Sequence, residues 1–135
     1  MKNIVIAFFS VLLFFGCKKD SIDNIKIGTI KVDIDGSAFT FSVQAKATRL
    51  SVTGGFGIQV DGDLKSTSTT GLSFSIVQPS SISAGSYSEN GAGNPVNITI
   101  TEITSSYVKG TFKGELQIGA GGTETLKNGL FYVSF

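Results

Sequence analysis

The reactive side chains of this 135-residue chain are few, and the missing types restrict its chemistry. It contains no histidine and a single cysteine, Cys17. Without histidine the commonest general base is missing, so neither a Ser-His-Asp triad nor a Cys-His pair can form. One thiol and no imidazole also leave zinc, copper and iron without the ligands that they prefer. The sequence therefore predicts no catalytic residue, no metal-binding residue and no cofactor.

Carboxylates remain as candidates for metal binding, most visibly where Asp61 and Asp63 flank a glycine. This spacing matches half of an EF-hand calcium loop. The loop needs a third oxygen ligand near Lys65 and a glutamate where Leu72 stands. We therefore expect a plain turn at Asp61 and Asp63.

A hydrolase that uses two carboxyl groups is the remaining enzymatic alternative. Glycoside hydrolases place two such groups about 5 to 10 Å apart in a cleft. Glu102 and Glu115 belong to different predicted strands, and the sequence alone does not fix their separation. There is no tryptophan to stack on a sugar ring. We expect a protein that is not an enzyme, with a carboxylate-based hydrolase as the alternative.

One predicted strand face carries Tyr107, Lys109, Thr111 and Lys113 at alternate positions. Such a face is suited to an anionic or sugar ligand. Solvated strand faces have the same composition, and lysines on an edge strand also prevent unwanted strand pairing. We expect a solvated face here.

Lys2 stands near the start of the chain, and the apolar run IVIAFFSVLLFF follows and ends shortly before Cys17. As a helix this run would rise about 18 Å, well short of the roughly 30 Å hydrocarbon core of a bilayer. A basic start, a short apolar stretch and a small residue at its end are typical of a secretory signal peptide. We predict that residues 1 to 16 are this peptide and are removed.

The stretch LFFGC resembles the lipobox of bacterial lipoproteins, and Phe14 in place of the usual leucine is tolerated in lipoproteins of the Bacteroidota. The following CKKD is a familiar start of their mature chains. The resemblance implies that Cys17 is acylated, with palmitate for example, and becomes the first residue of an outer membrane lipoprotein. Two or three acyl chains give a lasting membrane anchor, whereas one gives marginal binding. The domain would face either the periplasm or the cell surface.

Residues 17 to 27 are charged and have no clear period, so we predict a tether that follows the lipidated Cys17. Within it, Asp20, Ser21 and Ile22 resemble the short motif for O-glycosylation of extracytoplasmic Bacteroidota proteins, which makes Ser21 a candidate glycosylation site. Lys19 and Asp20 partly resemble the signal that exports some of these lipoproteins to the surface. A plain solvated linker is the alternative.

The charge balance gives no indication of a nucleic-acid partner. The whole chain has a formal net charge of +1, and the loss of Lys2 with the signal peptide brings it to zero. Nothing then steers the domain toward a polyanion. The removal of residues 1 to 16 leaves about 120 residues, the size of one ordinary domain.

Apolar residues recur at every second position through most of residues 28 to 135, which we predict to be a single β-domain. In TIKVDID, Ile30, Val32 and Ile34 share one face, while Asp33 and Asp35 share the other. No stretch after the signal peptide has a helical period. The same alternation predicts five further sets of inward-facing side chains: Phe39, Phe41, Val43, Ala45 and Ala47; Phe56, Ile58 and Val60; Leu72, Phe74 and Ile76; Val96, Ile98 and Ile100; Val108, Phe112, Leu116 and Ile118.

Turn residues and a change of phase mark where the strands end or bend. Asp35–Gly36 and Gly54–Gly55 suit the positive φ angles of two-residue hairpin turns. Leu50 continues the apolar set on even numbers, which predicts a bulge near Thr48 and Arg49. A hairpin turn and a bulge are equally compatible with Asn128–Gly129.

The last stretch is apolar on both faces from Leu130 onward, which predicts a central strand covered on both sides. We predict an all-β fold, an antiparallel β-sandwich of eight or nine short strands, with a small closed lipocalin-like β-barrel as the alternative. Bends at Gly110, Gly114 and Arg49 favour the sandwich.

The order of these parts, a lipobox, then VDGSAFTFS, SAGSY, VKGTFKGEL and NGLFYVSF, resembles a family of small Bacteroidota lipoproteins with a β-rich domain of unknown function. The resemblance implies location and fold, and the family has no catalytic residues to carry over. We expect a lipid-anchored cell-envelope protein with a noncatalytic binding or scaffolding domain and an unidentified protein or glycan partner. The alternative is a lipocalin-like carrier of a small apolar ligand.

Overall fold

The computed structural model describes residues 20–64, 71–89, 96–118 and 122–135. These residues contain nine strands, preceded by one turn of 3-10 helix at Ile22–Asn24. The strands are β1 Thr29–Ile34, β2 Ser37–Phe41, β3 Val43–Val52, β4 Gly55–Asp63, β5 Gly71–Gln78, β6 Gly85–Glu89, β7 Val96–Ile103, β8 Tyr107–Ile118 and β9 Gly122–Ser134. The predicted all-β fold and its strand number are confirmed.

The nine strands form one curled sheet with the shape of a half-barrel. Its order is β5-β4-β3-β9-β8-β7-β6, and β1 pairs with both β9 and β2 beside this path. Strand neighbours are antiparallel except at β3 and β9, which meet in parallel at Lys46 and Ser134. The architecture therefore combines a sandwich-like packing of two halves with the continuity of a barrel wall.

The core lies between the two halves of the curled sheet. The ring of Phe74 on β5 lies 5.0 Å from that of Phe112 on β8 and 5.4 Å from that of Phe131 on β9, measured between centroids. Because these rings meet in the middle, they fill the centre of the half-barrel. Most of the inward-facing residues predicted from the alternation are buried: Ile30, Val32, Phe41, Ala45, Ala47, Ile58, Val60, Leu72, Phe74, Ile76, Val96, Ile98, Ile100, Val108 and Phe112.

Two tight turns connect the first strands. Asp35 and Gly36 have φ angles of 47° and 85° and form the predicted two-residue turn. The second predicted turn is displaced by one residue, because Val52 pairs with Gly55 and leaves Thr53 and Gly54 as the turn. Gly55 belongs to β4, where a Cβ would lie 2.4 Å from the carbonyl oxygen of Gln78. Gly55 therefore serves close strand packing.

The predicted bulge near Thr48 and Arg49 is wrong, since β3 and β4 pair without interruption there. The irregularity lies earlier, at Gln44, whose φ is 51° and where the register shifts. Leu50 faces outward and lies directly over Gly57, whose missing side chain leaves it room. Leu50 therefore packs on the outer face of the sheet, and its even position does not mark a change in the alternation of β3.

The bulge alternative at Asn128–Gly129 is the one that the structure contains. Asn128 has a φ of 52°, and the register of β9 shifts by one residue against β8 and against β1. This extra residue changes the facing of the chain, so that Leu126 and Phe131 both point into the core despite their odd spacing.

Candidate functional site

The N-terminal segment, which we define as residues 20–28, lies against the outer side of β8 and β9. The side chain of Ile25 is 7% exposed. The amide of Gly28 donates a hydrogen bond to the carbonyl of Tyr132 at 2.7 Å, and Lys31 forms an ion pair with Asp20 at 2.8 Å. The part of the predicted tether that the structure describes is therefore packed on the domain. Cys17 lies outside the described residues.

The candidate glycosylation residue, Ser21, is exposed at the start of the short 3-10 helix. Its carbonyl accepts a hydrogen bond from the amide of Asn24 at 2.9 Å, while its hydroxyl makes no capping hydrogen bond. The hydroxyl is accessible to a modifying enzyme.

The sheet face beside Asp20, which we call the anchor-side face, is formed by the outward residues of β7, β8 and β9. A groove of about 360 Å³ runs across it. Leu130 lies at its base and is 8% exposed although it points outward. This explains why the last strand is apolar on both sides. The other groove residues are Asn97, Thr99, Thr111, Phe112, Lys113, Asn128 and Gly129.

Tyr107 and Lys109 of the predicted solvated face share a partner at the end of this surface. The Tyr107 hydroxyl donates to one oxygen of Glu102, and Lys109 forms an ion pair with the other at 2.8 Å. The ring of Tyr132 meets Tyr107 edge to face, with centroids 5.2 Å apart. We call these four residues the Glu102 cluster. Charge-assisted hydrogen bonds join β7 to β8 in this cluster, and the ring contact adds β9.

The electrostatics of the Glu102 cluster favour structure over acid-base chemistry. The hydrogen bond from Lys109, followed by that from Tyr107, lowers the pKa of Glu102. The hydrogen bond to Glu102 raises the pKa of Tyr107 and that of Lys109. All three pKa values are shifted further from neutral pH. A general acid or base works best with a pKa near the operating pH.

The two glutamates considered as a hydrolytic pair lie far apart. Glu102 is opposite Lys109 on β8, and Glu115 follows six residues further along that strand. At about 3.3 Å per residue this separates them by roughly 20 Å, about twice the largest spacing in a two-carboxylate hydrolase.

Asp61 and Asp63 lie inside β4, so the plain turn predicted for them is wrong. Asp61 accepts hydrogen bonds from the Ser73 hydroxyl at 2.7 Å and from the Gln59 amide at 2.9 Å. In the described ranges, no group of three or more acidic or thiol side chains is arranged to hold a metal ion. The carboxylate of Asp61 thus links β4 to β5.

Asp33 and Asp35 also have structural partners. Asp33 accepts a hydrogen bond from the side-chain amide of Asn128 at 2.7 Å, and Asp35 accepts one from the backbone amide of Thr125 at 2.7 Å. Both bonds connect the first hairpin to β9 beside the bulge. They fix the register of the central strand.

An open groove of about 390 Å³ lies at one rim of the half-barrel. Phe56 at this rim is 58% exposed, and Ile82 and Ile103 line the opposite wall. Arg49 stands at its edge, stacked 4.0 Å over the ring of Phe135 and donating to the carbonyl of Thr104 at 2.8 Å. We call this the rim groove.

The comparisons with known proteins give no relative: no family model, no curated protein and no solved structure matches this chain. Among the helices of the described residues, none is long and apolar enough to cross a membrane.

The sequence did not predict the Glu102 cluster or the packing of residues 20–28. A local signal for the cluster is present in TEITSSYVK. The Thr104 hydroxyl accepts hydrogen bonds from the amides of Ser106 and Tyr107 at 3.2 and 3.1 Å, which closes a short turn and brings Glu102 opposite Lys109. A Thr-Ser-Ser turn between two alternating runs is a hairpin signal.

Proposed function

We propose that this chain is a lipid-anchored protein of the bacterial cell envelope, attached through acyl chains on Cys17. The observation that carries the proposal is the order of residues at the start of the chain. A basic residue, an apolar run and Gly16 precede Cys17, and charged residues follow it, which is typical of a secretory signal peptide that ends before the cysteine. The first strand of the described residues begins later, at Thr29.

The domain itself is proposed to be noncatalytic and to serve in binding or scaffolding. In the Glu102 cluster the pKa of Glu102 is lowered, further from neutral pH. Glu102 and Glu115 are roughly 20 Å apart, counted along β8 from the residue that pairs with Glu102. The resemblance to small Bacteroidota lipoproteins supports an outer membrane location, on the periplasmic side or the cell surface. A protease added to whole cells would degrade the domain on the surface and spare it in the periplasm.

The anchor is tested by labelling cells with a radioactive fatty acid and separating membranes from soluble protein. The wild-type chain should incorporate label and sediment with the membranes, while Cys17→Ala should do neither and should keep its β-sheet circular dichroism. Ser21→Ala is the matched control, because it alters the same segment without touching the thiol. Equal labelling of wild type and Cys17→Ala would contradict the proposal.

Ser21 is proposed as a glycosylation site, since its hydroxyl is exposed within Asp20-Ser21-Ile22. The mature protein should lose a sugar mass in Ser21→Ala and retain it in Ser21→Thr, which keeps the motif. An identical mass for all three forms, after correction for the substitutions, would refute the assignment.

The rim groove favours a second candidate function, the carriage of a small apolar ligand. Its volume of about 390 Å³ falls in the range of about 300 to 1,000 Å³ that is usual for small-molecule sites. Because Phe74, Phe112 and Phe131 fill the centre, such a ligand would bind at the rim. An apolar fluorophore should bind the wild type and lose affinity in Phe56→Ser, with Val77→Ser as the control. Equal affinities of the wild type and Phe56→Ser for the fluorophore would exclude the rim groove as the binding site.

A further inference from the structure

The N-terminal segment connects the proposed anchor to one particular side of the domain. Its position is fixed at both ends, by the ion pair between Asp20 and Lys31 and by the hydrogen bond from Gly28 to Tyr132. Ile25 is buried between these two contacts. Asp20 therefore has a defined place at the groove of the anchor-side face.

Three peptide units separate Cys17 from Asp20. A fully extended chain covers at most about 3.6 Å per residue, so these units reach no further than about 11 Å. A lipid on Cys17 consequently holds Asp20 close to the membrane surface. Because the segment after Asp20 is packed on the domain, the side of the domain that carries Asp20 stays within this reach of the membrane.

We infer that the anchor-side face of β7, β8 and β9 lies against the lipid headgroups, and that the outer face of β3, β4 and β5 points away from the membrane. This inference rests on the proposed lipid anchor at Cys17. It adds an orientation and a contact surface, which the anchor alone does not determine.

The chemistry of the anchor-side face fits phospholipid headgroups. Asn97, Thr111 and Lys113 present an amide, a hydroxyl and an amine toward solvent around the groove. Within the described residues Lys113 forms no ion pair, so its ammonium group is available to a phosphate. Among the described residues three large apolar side chains are more than half exposed: Phe56 and Val77 lie elsewhere on the molecule, and Ile27 belongs to the N-terminal segment beside this face. The face itself is therefore suited to resting on headgroups, with Ile27 as the exposed apolar side chain next to it.

The opposite face provides an internal reference for distance. Phe74 of β5 contacts Phe112 and Phe131 across the core, so the two outer faces lie on opposite sides of the domain. Packed sheets are about 10 Å apart, and the side chains of each outer face add to this. Val77, on the outer side of β5 and 52% exposed, is therefore farther from the lipid than Lys113.

The test uses the full chain, expressed and lipidated in cells and reconstituted into phosphatidylethanolamine and phosphatidylglycerol vesicles. Once the Cys17 thiol is occupied, an environment-insensitive dye can be attached to a single introduced cysteine in Lys113→Cys or Val77→Cys. Vesicles that carry nitroxide-labelled headgroups should quench the dye at position 113 several-fold more than the dye at position 77. Asn97→Cys is a second near-side probe in case Lys113→Cys does not fold.

A flexible insertion sharpens the result. About twelve Gly and Ser residues between Lys19 and Asp20 add a root-mean-square length of about 20 Å, so the difference between the two dyes should disappear while the protein stays membrane-bound. Equal quenching in the lipidated chain without the insertion would overturn the orientation and leave the anchor intact. A chain without an acyl group at Cys17 would overturn both.

Discussion

The two outer faces of the half-barrel differ in what covers them. On the anchor-side face the apolar Leu130 is shielded, and Ile25 of the N-terminal segment is 7% exposed. On the opposite face Val77, which pairs with Gly57 beside Leu50, is 52% exposed. Antiparallel sheets commonly pack one face and leave the other to solvent. The N-terminal segment covers part of the anchor-side face over β8 and β9, so the segment belongs to the fold.

The largest expected effect comes from breaking the core that lies between the two faces. Phe74→Ala removes the ring that contacts both Phe112 and Phe131, and it should lower the free energy of unfolding by about 3 to 5 kcal/mol. Val77→Ala on the same strand points outward and should change it by no more than about 0.5 kcal/mol. Urea denaturation measures both. Similar losses in the two variants would contradict the packing of the faces around these rings.

The next largest effect tests whether the N-terminal segment is packed on the domain or is a free tether. The side chain of Ile25 is 7% exposed in the wild type. Ile25→Ser removes this buried apolar side chain and should lower the unfolding free energy by roughly 1.5 to 3 kcal/mol. By releasing the segment from the sheet, it should also speed tryptic cleavage after Lys26, whose side chain is already exposed. Ile27→Ser, two residues away and 52% exposed in the wild type, should do neither. If trypsin cleaves the wild type and both variants at equal rates, the segment is not packed.

A smaller effect concerns the Glu102 cluster and depends on pH. The pKa of Glu102 is lowered from its ordinary 4.5, so its stabilisation is fully present above 4.5 and is lost as the pH falls through the lower value of the folded state. The pKa of Lys109 is raised from 10.5, so its share is present below 10.5 and is lost as the pH rises through the higher value. Between these limits Glu102→Gln should melt at a lower temperature than the wild type.

The difference in melting temperature between wild type and Glu102→Gln should shrink as the solution is made strongly acidic. Glu115→Gln serves as the control, because Glu115 is exposed on the same strand as Lys109 and lies outside the cluster. A difference that is constant from neutral to acidic pH would show that the carboxylate of Glu102 does not stabilise the fold through its charge.

The smallest effect is expected for the ion pair that holds the start of the segment. The side chains of Lys31 and Asp20 are 34% and 55% exposed, so Lys31→Gln should cost between zero and about 1 kcal/mol. In about 1 M salt, where the screening length is about 3 Å, the cost should vanish. Lys113→Gln, which removes a lysine of the same face that forms no ion pair with the described residues, should be neutral at both salt concentrations. A loss for Lys31→Gln that persists at high salt would indicate packing by the lysine stem instead.

The alternation of apolar residues predicted most of the core, because it depends on a local period that a strand must obey. Val96, Ile98 and Ile100 are buried as expected from their spacing. Positions where the chain bends were harder to predict from the sequence. At Gln44 a positive φ is carried by a residue that gives no turn signal, and at Leu50 an outward contact has the appearance of a phase change.

Contacts between strands were beyond the reach of sequence periodicity. Asp33 meets Asn128 and Asp35 meets Thr125 across about ninety residues of chain, which only the register of β1 against β9 determines. The N-terminal segment gave no signal for the same reason. Ile25 is one of three isoleucines in this otherwise polar segment, and the surface that buries it is assembled from distant strands.

We propose that the mature protein begins at Cys17 and carries its anchor there. Mass spectrometry of the N-terminal proteolytic peptide from the membrane-purified protein tests this most directly. We expect a peptide that starts at Cys17 and has the added mass of its acyl chains. A peptide that retains residues 1 to 16, or that starts at an unmodified cysteine, would contradict it.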